Sequence, residues 1–319
     1  MTPEVSIVIV CMNRPDNLRP CLESIRAHTE ISYEVFVVAY LFSPDNLDAV
    51  RSEFPWVRFI ESGEIRGFSE NNNLALKLTS GKYCFVLNDD TEFSCPLIDT
   101  LVEDMKRLPE SAAIVSPRVD NADGTLQLCG RPPYPSVNYA LQQWHLYREP
   151  IDDTVGKVPV FGQVYATSNI TGACFLIKRG TFERLGWFDE TYFFTPEDIA
   201  LSDSAVRGGY GVYVDSGVEV VHKWRTTASR LSPAIRPAAV RGSLMFFSRG
   251  SRCRYALLAS AVWCAEFAKR LKAECVCMFN PTEKNRTMLE TYRHITASIF
   301  TGRTPKEIFA RYFELLNHS

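Results

Sequence analysis

The chain lacks several features that would settle its class at once. No apolar run among its 319 residues reaches the ~18–20 needed to span a bilayer. The net charge is only −2, from 35 basic and 37 acidic residues, which gives no electrostatic reason to expect nucleic acid. No Cys-x-x-Cys pair occurs, and Cys275 and Cys277 stand too close together for a zinc knuckle. There is no internal repeat and no low-complexity tract. The opening Met1-Thr-Pro-Glu-Val has no basic region ahead of an apolar core, so no signal peptide is expected there.

What is present is ordinary for a soluble globular protein: 46% apolar and 23% charged residues, at a length suited to one large domain or two small ones. Ten cysteines invite a disulfide framework. Their placement argues otherwise, because Cys11, Cys84 and Cys174 lie in or beside strand-like apolar runs, where a free thiol packs as a small hydrophobe. Reduced structural thiols favour a cytoplasmic setting. One apolar segment, Tyr255 to Ala265, lies between Arg249, Arg252, Arg254 and Lys269, Arg270, Lys272. A buried helix with solvated ends is its first reading, and a helix lying on an anionic membrane surface the second.

Strand and helix patterns alternate over the first ~100 residues, as in a doubly wound α/β unit. Val5–Val10, Tyr33–Val38, Val57–Ile60 and Tyr83–Leu87 read as strands. Leu18–Ala27, Leu47–Phe54 and Glu70–Leu78 read as helices. From Arg131-Pro-Pro-Tyr-Pro to about Gln163 the periodicity is weak, which predicts a functional loop on the acceptor side. Order returns with a strand over Ile170–Ile177, a helix opening at Glu197-Asp198, and strands over Gly208–Val214 and Val218–His222. Beyond Thr226 the chain reads as helical and basic.

Three elements carry chemistry. The apolar run Phe85-Val86-Leu87 ends abruptly in Asn88-Asp89-Asp90. Carboxylates at the C-terminal tip of a parallel strand sit where open α/β sheets bind ligands, and hard oxygen donors suit Mg²⁺ or Mn²⁺ with a diphosphate. Glu197-Asp198 stands in a helix first turn, where acid also complements the macrodipole. His222 closes an apolar strand. Each alone has a structural reading: a solvated turn, a capped helix, a partly buried histidine.

Taken in order, these elements resemble the inverting glycosyltransferases of family 2. The resemblance runs from about residue 4 to 225, through Val5–Arg14, Gly67-Phe-Ser-Glu-Asn-Asn-Asn73, Gly81–Thr91, Thr171–Arg179, Gly186-Trp-Phe-Asp-Glu190, Pro196-Glu-Asp198, Arg207-Gly-Gly-Tyr210 and Val221-His222. Within the family the chain looks most like the rhamnosyltransferase-like and galactofuranosyltransferase-like branches. The resemblance implies a GT-A fold, a Rossmann-like α/β unit with a mixed central sheet flanked by helices. It implies a catalytic domain over 1–225 and a helical region over 226–319 on the acceptor or membrane side.

The implied roles follow residue by residue. Asp90 and His222 would hold a divalent metal, with Mn²⁺ favoured over Mg²⁺ by the imidazole. Val10, Asn13, Arg14, Gly67, Phe68, Asn73, Asn88 and Asp89 would line the nucleotide-sugar donor. Asp198 would be the general base, its pKa raised by Phe193 and Phe194, and Glu197 would orient the acceptor. The donor would be a UDP-, dTDP- or GDP-linked sugar. The acceptor would be a glycan or a polyprenyl-linked glycan in O-antigen, capsule or other lipopolysaccharide assembly. The setting would be cytoplasmic, with peripheral contact at the inner face of the membrane through helices at about 240–275.

Two positions depart from the family pattern. Val37-Val38-Ala39 has alanine where the family usually places a base-reading Asp, a task that could pass to Asp45. Glu197-Asp198-Ile199-Ala200 lacks the family's last Asp. Two other readings stay open: a sugar-phosphate nucleotidyltransferase, although Val10-Cys-Met-Asn-Arg14 has no glycine, and an inactive nucleotide- or glycan-binding module.

Overall fold

The structure is a computed structural model that describes residues 2–128, 130–131, 135–148, 163–223 and 231–318. Residues 132–134 and 149–162 of the expected acceptor-side loop, and Trp224, fall outside the described residues, whereas Ser136–Gln143, expected as part of that loop, forms a helix. The chain divides into two compact units. The first comprises Met1–Pro133, Pro150–Asp189 and Glu197–Arg225; the second comprises Tyr134–Glu149, Glu190–Pro196 and Thr226–Ser319.

The first unit is built on one mixed sheet. Strands β1 (Val5–Met12), β2 (Tyr33–Tyr40), β3 (Arg58–Ser62) and β4 (Tyr83–Asn88) are followed by β5 (Thr91–Glu92), β6 (Ala112–Asp120) and β7 (Leu126–Leu128). Then come β8 (Val164–Thr167), β9 (Cys174–Lys178) and β10 (Gly211–His222). The order is β3-β2-β1-β4-β9-β6-β10-β5, with β7 on β6 and β8 on β10. Strands β3, β2, β1 and β4 are mutually parallel, whereas β9 runs antiparallel to both β4 and β6. Val5, Ile7, Val8 and Ile9 are all fully buried, as a strand covered on both faces requires.

Helices α1 (Pro15–His28), α2 (Pro44–Glu53), α3 (Phe68–Leu76) and α4 (Leu97–Arg107) connect the early strands. Pro15 and Pro44 stand at helix starts, where the missing N–H costs nothing. The α1 stripe Leu18, Cys21, Leu22, Ile25 is buried in the core, as its spacing predicts. On the other face of the sheet, α6 (Arg179–Arg184) and α7 (Glu197–Arg207) pack through Phe182, Leu201 and Ala205 onto Phe175, Ile177 and Val214.

Sequence pattern and structure part at identifiable points. Helix α4 and strand β6 go unread, although Leu97, Ile98, Leu101, Val102 and Met105 have helical spacing and are all buried. Pro117 discourages a central-strand reading. Its missing N–H is accommodated because β10 loses register with β6 between Asp215 and Glu219. That bulge also makes the two expected strands, Gly208–Val214 and Val218–His222, one continuous β10. Strand β9 starts at Cys174 rather than Ile170, because Gly172 donates its N–H to Asp198 instead of to a neighbouring strand.

The second unit is helical: α5 (Ser136–Gln143), α8 (Ser232–Ser248), α9 (Arg252–Phe279), α10 (Glu283–Ser298) and α11 (Pro305–His318). Its core joins Tyr139, Leu244, Phe247, Leu258, Val262, Ile295 and Ile299. Glu266 is fully buried and is held by Lys269 at 2.6 Å. The nine described cysteines are all free thiols. Among the described residues, no helix is long and apolar enough to cross a membrane.

One acid pair makes the stability depend on pH. Asp104 on α4 and Asp215 at the β10 bulge are both buried. Burial, a hydrogen bond to Asp215 and the charge of Asp215 raise the Asp104 carboxyl to about 7. The folded chain therefore keeps a proton that the unfolded chain releases. This contribution is full below the ordinary carboxyl range and is lost as pH rises through about 7. Asp104→Asn should accordingly stabilise the chain at pH 8 by on the order of 1 kcal/mol, and the advantage should vanish near pH 4. Thermal unfolding at the two pH values measures this, and an advantage independent of pH would contradict it.

Candidate active site

The site grows from the end of β4. The Asn88 N–H donates to the Ala173 carbonyl at 2.9 Å, and the Asn88 carbonyl accepts from the Thr91 hydroxyl at 2.7 Å. These bonds turn the chain sharply, so that Asp89 and Asp90 occupy the tip between β4 and β5. Burial pushes the Asp89 carboxyl up to about 7; the Cys11 thiol and Arg14 oppose the shift, and the Asp90 charge adds to it. Cys11 was expected to be a passive core thiol. Its own pKa is raised by burial and by the Asp89 charge, so it stays a thiol, and its S–H donates to the Arg14 carbonyl at 3.5 Å.

Asp90 meets His222. Strand β10 pairs antiparallel with β5, His222 opposite Thr91, and the Lys223 N–H donates to the Asp90 carbonyl at 2.9 Å. The His222 Nε2 thereby lies 3.1 Å from Asp90 Oδ1, both side chains being about nine-tenths buried. A relay fixes the imidazole from behind. The Thr125 hydroxyl donates to Asp123 at 2.5 Å and accepts from the Asn121 amide at 3.0 Å. The Asn121 oxygen accepts from Gln127 Nε2 at 2.9 Å, and Gln127 Oε1 lies 2.8 Å from His222 Nδ1. Because the chain starts on a carboxylate, every donor direction along it is set, and His222 Nδ1 must donate. The Nε2 then faces Asp90 Oδ1, and at this distance a cation or a proton stands between the two atoms.

Those two donors fit a divalent metal that completes its shell with phosphate oxygens and water. Among the described residues, no group of three His, Cys, Asp or Glu side chains is arranged to hold a metal ion. The protein itself offers a pair.

Asp198 lies at the start of α7. Its Oδ2 accepts from Arg131 Nη2 at 3.0 Å and from the Gly172 N–H at 3.1 Å, and its Oδ1 accepts from the Ile199 N–H at 2.8 Å. The Asn88–Ala173 bond and the Gly172–Asp198 bond tie the two acidic elements to one short turn. Glu197 is buried, and its Oε1 lies 3.9 Å from where a Cβ on Gly172 would stand; the Phe68 ring lies at the same distance. The neighbours of Asp198 in its own unit are therefore mostly polar. Phe193 and Phe194, expected as its apolar shell, belong to the second unit, where Phe193 packs on Phe309 with centroids 4.4 Å apart.

The remaining expected residues have varied surroundings. Val10 is half-buried between the buried Ile9 and Cys11 of β1, in register with Asn88. Asn13 accepts from the Ser43 N–H at 3.1 Å and the Asn46 amide at 2.9 Å, bracing the start of α2. Arg14 caps α1, and the Gly67 N–H donates to Glu70 at 3.1 Å in the capping box of α3. Asn73 is buried and exchanges two hydrogen bonds with the backbone of Phe188, at 2.9 and 3.1 Å. Asp45 is exposed in the first turn of α2. Sequence reasoning missed Arg131 and Gln127. No local pattern marks either, since each acts across the fold.

The glycosyl transferase family 2 model matches residues 6–186, more than half of the chain. The chain belongs to this family. It is 30% identical over 244 residues to the O-antigen biosynthesis protein RfbC of Myxococcus xanthus, covering 74% of this chain but only 18% of that protein. It is 24% identical over 263 residues to the N-acetylglucosaminyl-diphospho-decaprenol L-rhamnosyltransferase of Mycobacterium tuberculosis, covering 77% and 84% of the two chains. Among solved structures, GalNAc-T7 with UDP, GalNAc and Mn²⁺ aligns with a TM-score of 0.59 at 14% identity, over 99% of this chain and 58% of the other. The mannosyltransferase PcManGT of Pyrobaculum calidifontis, with GDP-Man and Mn²⁺, aligns with a TM-score of 0.52 at 16% identity, over 93% and 86%. The fold of this family 2 glycosyltransferase is thus GT-A, and its relatives serve glycan biosynthesis.

The relay makes a checkable statement about one proton. Gln127→Leu removes the acceptor behind His222, so the metal-free ring should lose its preference for Nδ1–H. Nitrogen NMR of the labelled chain reads this directly, and an unchanged tautomer would show that the relay does not set it.

Proposed function

We propose that the chain is an inverting, metal-dependent glycosyltransferase. It moves a sugar from a nucleotide-diphosphate donor to a glycan or polyprenyl-linked glycan in bacterial surface polysaccharide assembly. The observation that supports this most is the meeting, around one turn, of an Asp90–His222 pair and an oriented Asp198 carboxylate. The decaprenol named in the mycobacterial relative's activity supports a lipid-linked acceptor. Membership of the glycosyltransferase family sets aside the nucleotidyltransferase reading.

The geometry supports a division of labour. A divalent ion held by Asp90 and His222 would neutralise charge on the departing diphosphate. Arg14 adds a positive charge on the donor side, at the tip shared with Asp89. Asn88 and Asp89 face the donor with Val10, Asn13, Gly67 and Phe68, while Asn73 holds Phe188 beneath the Phe68 ring. Asp198 accepts the proton of the acceptor hydroxyl as that oxygen bonds to the anomeric carbon. The bond from the same carbon to the diphosphate oxygen breaks on the opposite face, which inverts the centre. Arg131 and the Gly172 N–H hold the Asp198 carboxylate in one orientation, which limits the reorganisation this step requires. Glu197, one residue earlier on α7, orients the acceptor.

Screening UDP-, GDP- and dTDP-sugars for Mn²⁺-dependent hydrolysis identifies the donor. With that donor, Asp198→Asn should lower kcat by about 10²–10⁴-fold while donor KM changes little. Full transfer with both substrates saturating would refute the base. EDTA should abolish turnover and Mn²⁺ restore it; undiminished activity in EDTA would remove the metal role of Asp90 and His222.

A further inference from the structure

The apolar segment from Tyr255 onward extends in the structure to a helix of 28 residues, α9, about 42 Å long. Its inner face, Leu258, Ala259, Val262, Ala265 and Ala273, is buried. Its outer face is also apolar. Leu257, Cys264, Ala268, Leu271, Cys275 and Met278 recur at helical spacing and are all exposed. Leu257 is 75% exposed, Met278 74% and the terminal Phe279 87%. Single exposed hydrophobics are ordinary, but a stripe running the length of a helix is not.

Charge along the same helix has one sign. Arg252, Arg254 and Lys272 are exposed, and no acidic residue of α9 is. Glu266 is fully buried against Lys269, and Glu274 is bound by Arg270 at 3.1 Å and Arg293 at 3.5 Å. A second, independent feature lies beside the stripe. Trp144 is 44% exposed and donates its Nε1–H to the Ala261 carbonyl of α9 at 3.1 Å, which fixes the indole at the helix surface. Leu146, two residues on, is 73% exposed. Tryptophan anchored by its polar edge, with basic residues around apolar ones, is the chemistry of a bilayer interface.

We propose that the outer face of α9, with Trp144 and Leu146, seats the protein on an anionic bilayer surface. The apolar stripe enters the headgroup boundary, and Arg254 and Lys272, which flank it, meet lipid phosphates. A second copy of the chain is the weaker occupant. Cysteine and alanine hold half of the stripe and offer little knob volume for helix pairing. The proposal deepens the reading of a lipid-linked acceptor, but it is tested without donor, acceptor or metal, so either can fail alone.

Flotation of the full chain with phosphatidylglycerol–phosphatidylcholine vesicles, and with pure phosphatidylcholine, reads the binding. The chain should float with the anionic vesicles and release as salt rises. Leu257→Glu with Phe279→Glu should cut the bound fraction about tenfold, with helical circular dichroism and the thermal unfolding midpoint unchanged. Failure of the parent chain to float overturns the proposal, as does flotation of the charged variant at the parental level. A solution dimer that Leu257→Glu with Leu271→Glu splits would also overturn it, by making this face an interface between copies.

Discussion

Two adjacent carboxylates at the end of a buried strand set the terms for the catalytic unit. Asp89 and Asp90 repel each other at the tip of β4, where little water screens them. The fold answers each differently. Asp89 is pushed up to about 7 and receives Cys11 and Arg14 as partners. Asp90 is met by His222 at 3.1 Å. That second answer requires β10 to reach β5, and β5 is only two residues long. The register shift between Asp215 and Glu219 lets β10 leave strict pairing with β6 and still end beside Thr91. An apparent flaw in the sheet is therefore what brings the imidazole to the acid.

The other half of the site depends on a strand that begins late. Gly172 turns its N–H toward Asp198, and its neighbour Ala173 accepts from Asn88. Had Ile170–Ala173 continued β9, the Gly172 N–H would serve the ladder and Asp198 would lose a donor. Antiparallel β9 is therefore the joint of the unit. It lies between β4 and β6, and its first turn carries hydrogen bonds to both acidic elements. Arg131 completes the arrangement by bonding both Asp198 and the Ile170 carbonyl, at 3.0 and 2.7 Å.

What could be read beforehand follows from the range of each signal. Runs such as Val5–Val10 and Phe85-Val86-Leu87 declare buried strands because every residue in them is apolar and their ends are abrupt. Glu197-Asp198 at a helix start is equally local, and α7 begins there. Strand β6 was hidden by Pro117, whose acceptability depends on a bulge in a partner almost 100 residues away. Arg131 and Gln127 were hidden for the same reason: each acts through a hydrogen bond across the fold, and neither changes the local pattern. The outer face of α9 was half legible. Composition gave an apolar segment between basic clusters, but only the packed helix shows that the apolar residues divide between an inner and an outer face.

The two departures from the family pattern gain physical content from burial. Ala39 is 2% exposed within the core formed by β1, β2 and α1, and its methyl group has no atom with which to hydrogen-bond a nucleobase. A carboxylate there would need partners that an aliphatic core does not provide. Ala200 is 7% exposed on α7. Replacing Asp by Ala at such a place removes a buried charge near Asp198, where like charge is costly. Asp90 and Asp198 keep a protonatable ring or a partner of opposite charge, and Asp89 keeps the opposing charge of Arg14.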